Sequence, residues 1–356
     1  MKNIYGGRVE TTDLPKVRDH DDVKSLILNR DDILLNRTNS PAQVGKVGIV
    51  DVDTDATFAS YLVRLRLDRE MVDPQYLAAY LSTDETQERI RNLATRAVSQ
   101  ANINPTTLRR SILVPLPSLP EQRRISDILR AWDSAITQTR GQRGYVGLKY
   151  STAVETLGGS PTAARPLADF THELKTRNGE LRIDRQHVMG VSNRHGLIRM
   201  REQTIAQDLS RYHILPPRAF AYNPMRINIG SIAMSRLDHD VAVSPDYVLF
   251  ACKTELLPEY LNHLLETSRW RHAVSAGSSG SVRTRTYYDD LARIQITVPS
   301  LAIQQSTVTA LDAIREEFTL LEQKVGLLHK QKRGLAQRLF SGELRVDESS
   351  EGMSPT

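Results

Sequence analysis

Cysteine is almost absent from this chain, with Cys252 the single one among 356 residues. A disulfide within the chain is therefore excluded, and so is any zinc site that needs two thiolate ligands. Cys252 ends the apolar run YVLFAC, which predicts a buried structural thiol in a reducing compartment. The 9 histidines are scattered singly, so the sequence predicts no metal site.

Long hydrophobic runs are absent as well. No stretch approaches the ~20 consecutive apolar residues that cross a bilayer. The opening MKNIYGGRVE lacks the apolar centre of a signal peptide. We therefore expect a soluble cytoplasmic protein. Its 47 Lys and Arg against 42 Asp and Glu give a net charge of +5, which fits a nucleic-acid partner if the basic residues cluster.

Catalytic motifs are also missing. The tetrapeptide DPQY, ending at Tyr76, differs by one residue from the Asp-Pro-Pro-Tyr signature of adenine methylases. No glycine-rich cofactor loop follows a strand, so its proline is better interpreted as the first residue of a helix. No carboxylates cluster at the spacing that nuclease metals need. We predict a chain without catalytic residues, metal ligands or a cofactor of its own.

What the sequence does contain is an internal repeat. The phrase LPSLPEQRRI returns as VPSLAIQQST, 182 residues later. Upstream, VDPQYLAAYL matches LLPEYLNHLL at an offset of 184, and Gly45 matches Gly230 at an offset of 185. A repeat of this length sets the architecture of the whole chain. The sequence therefore predicts two similar domains.

Each half of the repeat is typical of an α+β domain. Short runs such as VGIVDV and DYVLFAC predict strands. A proline then opens a short helix, and the Pro-Ser-Leu-x-x-Gln phrase comes just before a long one. The predicted fold class is α+β, with two repeat-related domains separated by two long helices.

The two long helices carry matching apolar seams. Apolar residues recur at the alternating three- and four-residue spacing of a coiled coil. A helix from Glu121 to Leu157 would be about 55 Å long at ~1.5 Å per residue, and the second, from Gln304 to Phe340, would be similar. Two such seams in one duplicated chain predict an antiparallel pair. The residues predicted to pair the helices are Leu129, Trp132, Ile136, Leu311, Ile314, Phe318, Leu321, Val325 and Leu328.

These features together resemble the specificity subunit of Type I restriction-modification systems. The resemblance is carried by LPSLPEQRRISDIL, its degenerate copy VPSLAIQQSTVTAL, the run ILLNRTN before Gly45, and LFSGEL after the second helix. It implies a noncatalytic subunit whose two target-recognition domains each read one half of a split site in double-stranded DNA. It also implies two adenine-methylating modification subunits and restriction motor-nuclease subunits as partners. S-adenosylmethionine, Mg and ATP would be bound by those partners.

The resemblance also predicts the domain boundaries. The first half has no counterpart of roughly Arg165 to Met189, so its recognition domain is shortened. Either the start of the chain is truncated or another segment fills that place. The predicted parts are a first target-recognition domain at 1–118, a first long helix at 119–157, a linker at 158–166, a second domain at 167–300, a second long helix at 301–344 and a disordered tail at 345–356.

DNA readout needs Arg or Lys for guanine and phosphate, Asn or Gln for adenine, and small polar residues for close approach to the backbone. The loops NRTNSPAQVGK and SAGSSGSVRTRTYY supply these residue types. Solvated turns with no ligand are the alternative interpretation. The candidates are Asn36, Arg37, Thr38, Asn39, Gln43, Lys46, Arg96, Ser99, Gln100, Asn102, Lys175, Arg177, Asn193, Arg194, Asn223, Arg226, Asn228, Ser278, Ser279, Arg283, Arg285 and Tyr287.

Two other functions stay open on the sequence alone. One is an internally duplicated coiled-coil adaptor whose globular ends bind proteins and which does not read DNA. The other is a silent or defective specificity cassette, which the shortened first domain suggests. Salt-dependent duplex binding distinguishes the adaptor, because phosphate contacts make affinity fall steeply with salt.

Overall fold

A computed structural model describes residues 3–5, 7–12, 14–17, 21–96, 100–157, 163–277 and 285–346. The chain divides into two units. The first comprises Met1–Gly141 with Leu321–Thr356, and the second comprises Gln142–Leu320. Each long helix contributes one half to each unit. We call the part of the first unit before the first long helix the first domain, and the part of the second unit between the long helices the second domain.

The first half of the chain alternates short strands with short helices before one long helix. Its elements are β1 (Ile4–Tyr5), β2 (Arg8–Val9), α1 (Asp21–Lys24), β3 (Ile33–Asn36), β4 (Thr38–Asn39), β5 (Val47–Ile49), β6 (Leu62–Leu65), α2 (Pro74–Leu81), α3 (Asp84–Asn92), β7 (Thr95–Arg96), β8 (Ala101–Asn102), α4 (Pro105–Ser111) and α5 (Leu119–Glu155).

The second half adds further strands and ends in a second long helix. Three 3₁₀ turns lie at Arg185–His187, Glu202–Thr204 and Ile227–Ile229. The remaining elements are β9 (Arg165–Pro166), α6 (Leu167–Phe170), β10 (Thr171–Leu174), β11 (Val188–Ser192), β12 (Gly196–Arg199), β13 (His213–Leu215), β14 (Phe220–Tyr222), β15 (Ile232–Met234), β16 (Val241–Val243), β17 (Val248–Cys252), α7 (Pro258–Leu264), α8 (Ser268–Gly277), α9 (Tyr288–Leu291), β18 (Gln295–Ile296) and α10 (Leu301–Phe340).

The first domain is built on a five-stranded sheet in the order β1-β2-β5-β3-β6. All four residues of β3 are buried, which matches its interior place in the sheet and its apolar run Ile-Leu-Leu. Helix α2 packs Leu77 and Ala78 into the same apolar core, together with Ile90 of α3. A small second sheet, β4-β8-β7, joins the loop after β3 to the stretch before α4.

The second domain has two four-stranded sheets, in the orders β10-β17-β14-β15 and β12-β11-β16-β13. Phe220 on β14 lies opposite Phe250 on β17, and the two rings stack with centroids 5.0 Å apart. Cys252 is half-buried at the end of β17, and burial raises the pKa of its thiol to about 12. That shift agrees with the expectation of an unreactive structural cysteine.

The internal repeat is visible in the order and geometry of the elements. Helices α2 and α7 correspond, as do α3 and α8 after them. Gly45 and Gly230 both have left-handed backbones, with φ of 84° and 85°. At Gly45 an added Cβ would lie 2.7 Å from the Ile90 side chain, so glycine is required there. The predicted α+β class with two repeat-related domains is confirmed.

The two domains differ at one sheet edge. In the second domain β17 pairs with β14 on one side and with β10 on the other. In the first domain, among the described residues, the corresponding β6 pairs with β3 and with no other strand. The missing neighbour is the counterpart of β10, which falls within the segment that the sequence comparison found in the second half alone.

The repeated Pro-Ser-Leu-x-x-Gln phrase fastens each long helix to its domain through one glutamine. Gln122 is fully buried one turn into α5. Its Oε1 accepts a hydrogen bond from the Asp73 backbone N–H at 2.9 Å. Its Nε2 donates to the carbonyls of Met71 and Pro117 at 3.0 and 2.8 Å. One side chain thus satisfies three backbone groups next to the start of α2.

Gln304 repeats this arrangement at the start of α10. It is also fully buried. Its Oε1 accepts from the Leu257 N–H at 2.8 Å, and its Nε2 donates to the carbonyls of Glu255 and Pro299, both at 2.8 Å. We call Gln122 and Gln304 the glutamine clamps. They explain why both copies of the phrase keep a glutamine at the same position.

We expect Gln304→Ala to lower the free energy of unfolding of the second unit by about 2–4 kcal/mol, because it leaves buried backbone groups without hydrogen-bond partners. Urea denaturation followed by circular dichroism measures the change. The matched control is Gln305→Ala, which removes the exposed neighbouring amide. Equal stability of the two variants would contradict the role of the clamp.

Candidate nucleic-acid interface and paired helices

One end of the second domain collects several loops, because antiparallel strands bring alternate strand ends to the same edge. The C-terminal ends of β10 and β14 meet the N-terminal ends of β17 and β15 there. The β11–β12 turn and the start of β13 lie at the matching end of the second sheet. We call these loops, residues 175–178, 192–196, 211–213, 223–231, 244–247 and 285–289, the loop end.

Hydrogen bonds tie these loops to one another. The Ser231 hydroxyl donates to the Val191 carbonyl at 3.4 Å, which links the 223–231 loop to the strand before the β11–β12 turn. The Thr286 N–H donates to the Pro224 carbonyl at 3.0 Å. Arg177 Nη1, just after β10 of the first sheet, donates to the Arg211 carbonyl, just before β13 of the second, at 2.6 Å. The Val191 N–H donates to the Tyr247 hydroxyl at 3.4 Å, which adds the 244–247 loop. The loop end is therefore one connected surface.

The structure brings many of the predicted DNA contacts to the loop end. Eight of them have exposed side chains there, and they are Lys175, Arg177, Asn193, Arg194, Arg226, Asn228, Arg285 and Tyr287. Asn223 is half-buried, and its Oδ1 accepts from the Met225 N–H at 2.9 Å, so it also shapes its own loop. Lys175 forms an ion pair with Glu173 at 2.8 Å. Ser278, Ser279 and Arg283 lie outside the described residues.

Three further residues at the loop end are not marked by any sequence pattern. Met225 and Ile229 are 51% and 58% exposed in the same loop as Arg226. Exposed apolar side chains beside arginine fit base or sugar contacts in a DNA groove. The Arg211 side chain is also exposed at this surface. No local pattern marks these three, because only strand pairing brings 211 beside 177.

In the first domain, strand pairing joins the two predicted loops. β4 pairs with β8, and the Thr38 hydroxyl donates to Asn102 Oδ1 at 2.7 Å. Gln100 and Asn102 are exposed, while Arg37, Gln43 and Lys46 are half-buried. Ser99 lies outside the described residues, as does the side chain of Arg96.

Two of the asparagines that were predicted to contact DNA are buried in the structure. Asn36 and Asn39 are only 4% and 6% exposed. The Asn36 amide donates to the Gln43 carbonyl at 3.2 Å, and Asn39 Oδ1 accepts from the Ser40 N–H at 2.8 Å. Both side chains hold the loop in shape, which is the common use of asparagine in turns.

In the first unit, the N-terminal half of α5 packs against the C-terminal half of α10. Ile125 and Leu129 share an apolar cluster with Ala336 and Leu339. Further along, Lys332 Nζ lies 2.6 Å from Asp133 Oδ1. Along the contact, residue numbers increase on one helix and decrease on the other, so the two halves run antiparallel.

In the second unit, the other halves of the same helices also run antiparallel. Val154 and Leu311 lie in one apolar cluster. A Cβ added at Gly147 would lie 3.2 Å from the Phe318 ring, so the absence of a side chain there permits close contact. The guanidinium of Arg143 stacks over the same ring at 5.8 Å.

All nine residues predicted to pair the helices are buried or half-buried. Lys332, a polar residue that lies within the second seam, is half-buried and paired with Asp133. The predicted antiparallel packing of the long helices is confirmed. The helices begin at Leu119 and Leu301, so the leucine of each Pro-Ser-Leu phrase is the first helical residue.

A polar network fills the corner between the paired helices and α7 in the second unit. His263 is 1% exposed. Its Nδ1 lies 2.9 Å from the Tyr150 hydroxyl and its Nε2 lies 3.1 Å from Asp312 Oδ1. Arg315 donates to both Glu266 and Tyr150. Burial, together with the nearby Arg315 charge, lowers the pKa of His263, while Asp312 and Glu266 oppose the shift.

A protein-family model, a related sequence and solved structures are similar to parts or most of this chain. Residues 12–143 match a family model described as the Type I restriction modification DNA specificity domain. A protein of Methanocaldococcus jannaschii described as a type I restriction enzyme MjaX specificity subunit is 31% identical over 139 residues. That match covers 38% of this chain and 32% of the relative, so the aligned stretch spans about a third of the relative's length.

Solved structures extend the likeness to most of the chain. The crystal structure of a Type I restriction-modification S subunit from M. genitalium superposes with a TM-score of 0.54 at 13% identity, covering 88% of this chain and 84% of that one. A chain from a structural study of type I R-M complex assembly and conformational transition gives 0.51 at 17% identity, covering 89% and 83%. At these identities the likeness shows a shared fold.

The stretch that matches the DNA specificity domain runs from the first domain into the first long helix. The specificity-domain match covers less than half of the chain, and the solved structures show a shared fold over most of it. Across the part of the chain that the structure describes, no metal-binding group of three or more His, Cys, Asp or Glu side chains occurs. Within that part, no helix is long and apolar enough to span a membrane.

We expect Leu328→Asp to destabilise the helix pair by about 3 kcal/mol or more, because it buries a carboxylate in an apolar seam. Leu328 is 5% exposed, whereas its neighbour Leu327 is 59% exposed. Leu327→Asp is therefore the matched control and should change stability by about 0.5 kcal/mol or less. Thermal unfolding compares the two, and similar losses in both variants would count against the seam.

The lowered pKa of His263 predicts a pH dependence of stability. The unfolded chain takes up a proton near pH 6.5, the ordinary value for histidine, while the folded chain resists protonation. Folding stability should therefore be complete above that pH and fall as the pH drops below it. We expect His263→Gln to flatten this fall between pH 7.5 and 5.5 in urea titrations. The exposed His272→Gln should leave the profile unchanged, and a wild-type slope in His263→Gln would refute the assignment.

Proposed function

We propose that this chain is the DNA-reading subunit of a Type I restriction-modification complex. The observation that carries the proposal is the loop end, where exposed arginine, lysine and asparagine side chains from separate loops form one connected surface. These side chains are the ones that bind phosphates and read guanine and adenine edges. Loops on a rigid sheet are also the usual carriers of recognition residues.

We further propose that the DNA target has two parts. The chain contains the same domain plan twice, and each copy is fastened to a long helix by the same buried glutamine. Two similar domains attached to their helices in the same way favour a split target site. The first domain, within 1–118, would read one half of the site, and the second domain, within 167–300, would read the other half. The length of the paired helices would then set the gap between the half-sites.

The proposed partners are two modification subunits and the restriction motor-nuclease subunits. S-adenosylmethionine, Mg and ATP would belong to those partners. Exposed apolar side chains on the long helices support a docking role. Tyr145 and Leu148 are 70% and 65% exposed on α5 in the second unit, and Leu327 is exposed on α10 in the first.

Methylation mapping in cells that carry the cognate modification subunit, with and without this chain, tests the proposal. The expected result is a new split adenine motif with a fixed gap that depends on this chain. A motif from one half alone would refute the two-part reading. No new methylation, despite a demonstrated complex, would favour the adaptor or silent-cassette interpretation.

We expect Arg194→Ala combined with Arg226→Ala to weaken duplex binding by about tenfold or more and to reduce the salt slope by roughly one to two, because each arginine contacts a phosphate or base edge. Fluorescence anisotropy across a salt series measures both quantities. Arg236→Ala is the control, since Arg236 is exposed just past the opposite end of β15. Equal effects of control and test variants would argue against the loop end as the DNA surface.

A further inference from the structure

A cleft of about 1050 Å³ opens in the first unit between the α2–α3 corner and the paired helices. Ala79, Ser82 and Asp84 line its domain side. Arg130 of α5 and Lys332 of α10 line its helical side. Every residue of the lining belongs to the first unit.

The internal repeat identifies the corresponding place in the second unit. With the offset of 184 that aligns α2 with α7, Ala79 corresponds to His263 and Ser82 to Glu266. Thr83 and Thr267 support this alignment. Each hydroxyl accepts from the N–H three residues ahead, and each donates to the carbonyl three residues back.

The corresponding place in the second unit is filled by this chain's own side chains. His263 bonds Tyr150 and Asp312, while Arg315 reaches Glu266 and Tyr150. Glu155 of α5 adds bonds to the Ser268 N–H and hydroxyl at 2.9 and 2.7 Å. Six ionisable side chains and a serine thus form hydrogen bonds across this corner.

In the first unit the same positions carry side chains that leave the space open. With the helix offset of 182, the Tyr150 and Arg315 positions become Lys332 and Asp133, which still pair at 2.6 Å. The bulk of His263 and Glu266 is lost at Ala79 and Ser82. The cleft therefore lies where the second unit has the His263 network, and the described side chains of the first unit leave this place open.

The walls of the cleft define the chemistry of its occupant. Its floor includes Leu129 and the edge-to-face rings of Tyr80 and Phe340, whose centroids lie 5.2 Å apart. Its lining also carries the exposed carboxylates of Glu85 and Glu88, for which the structure gives no ion pair within its described residues. The basic lining residues are already paired with carboxylates, and they are Arg8, Arg130, Lys332 and Arg333. An aromatic side chain on the floor and a cationic group at the rim are complementary to this surface.

We propose that this cleft is a protein-docking site that receives an aromatic side chain, flanked by a basic residue, from one modification subunit. The proposal rests on the proposed function and adds that the two ends of the chain dock their partners differently. The first unit has an open cleft, whereas in the second unit the His263 network fills the corresponding corner. The two modification subunits would then bind at different surfaces of the chain, although the chain is internally duplicated.

The test places in the cleft the two residues, histidine and glutamate, that occupy the corresponding positions of the second unit. Ala79→His combined with Ser82→Glu should remove one copy of the modification subunit from the complex or weaken its binding at least tenfold. Native mass spectrometry and titration with purified modification subunit measure the two outcomes. A second variant, Glu85→Gln with Glu88→Gln, should weaken binding about threefold or more without adding bulk.

The control for charge is Asp55→Asn with Glu70→Gln, two exposed carboxylates outside the cleft lining, and thermal unfolding verifies that each variant is folded. Wild-type stoichiometry and affinity in both test variants would overturn the proposed docking site. DNA binding by the free chain should stay unchanged in all variants. Failure of the wild-type chain to bind DNA or any modification subunit would instead refute the proposed function, so the two failures are distinguishable.

Discussion

The attachment of each long helix to its domain through one buried glutamine is the constraint on which the rest of the structure depends. Gln122 and Gln304 each satisfy three backbone groups that would otherwise be buried without partners. An apolar side chain of similar size would fill the space but leave those groups unpaired, which costs more than the packing gains. The clamp sets the direction in which the helix leaves the domain, and it does so twice in one chain.

The paired helices tolerate polar residues in their seam because each one finds a partner inside the same unit. Lys332 meets Asp133 in the first unit, and Arg315 meets Tyr150 and Glu266 in the second. A half-buried charge is acceptable when a counter-charge and hydrogen bonds accompany it. The seam is therefore less apolar than that of a simple coiled coil, and its register is specified by particular polar pairs. The two units use different pairs at corresponding positions, so duplication of the plan has not kept the two ends alike.

The sequence predicted the architecture well and the individual contacts less well. The repeat, the seam residues such as Leu129 and Leu311, and the helix-opening prolines are local or periodic signals, and periodicity reports directly on which face is buried. Asn36 and Asn39 were predicted as DNA contacts, yet both are buried, because an asparagine that holds a turn and one that reads a base look the same in sequence. Arg211 and Met225 were missed for the opposite reason, since only strand pairing brings their loops beside the predicted ones.

By itself, the sequence determined that the chain is a duplicated α+β protein with two long helices, because repeats and hydrophobic spacing are properties of the linear order of residues. It also pointed to the glutamine of the repeated phrase without saying what that glutamine does. Only the tertiary structure decided that Gln122 reaches back about 50 residues to the start of α2, which loops share a surface, and which half leaves its corner open. Those outcomes depend on contacts between side chains that are distant in sequence. No local pattern indicates whether the residue at such a contact is a histidine or an alanine.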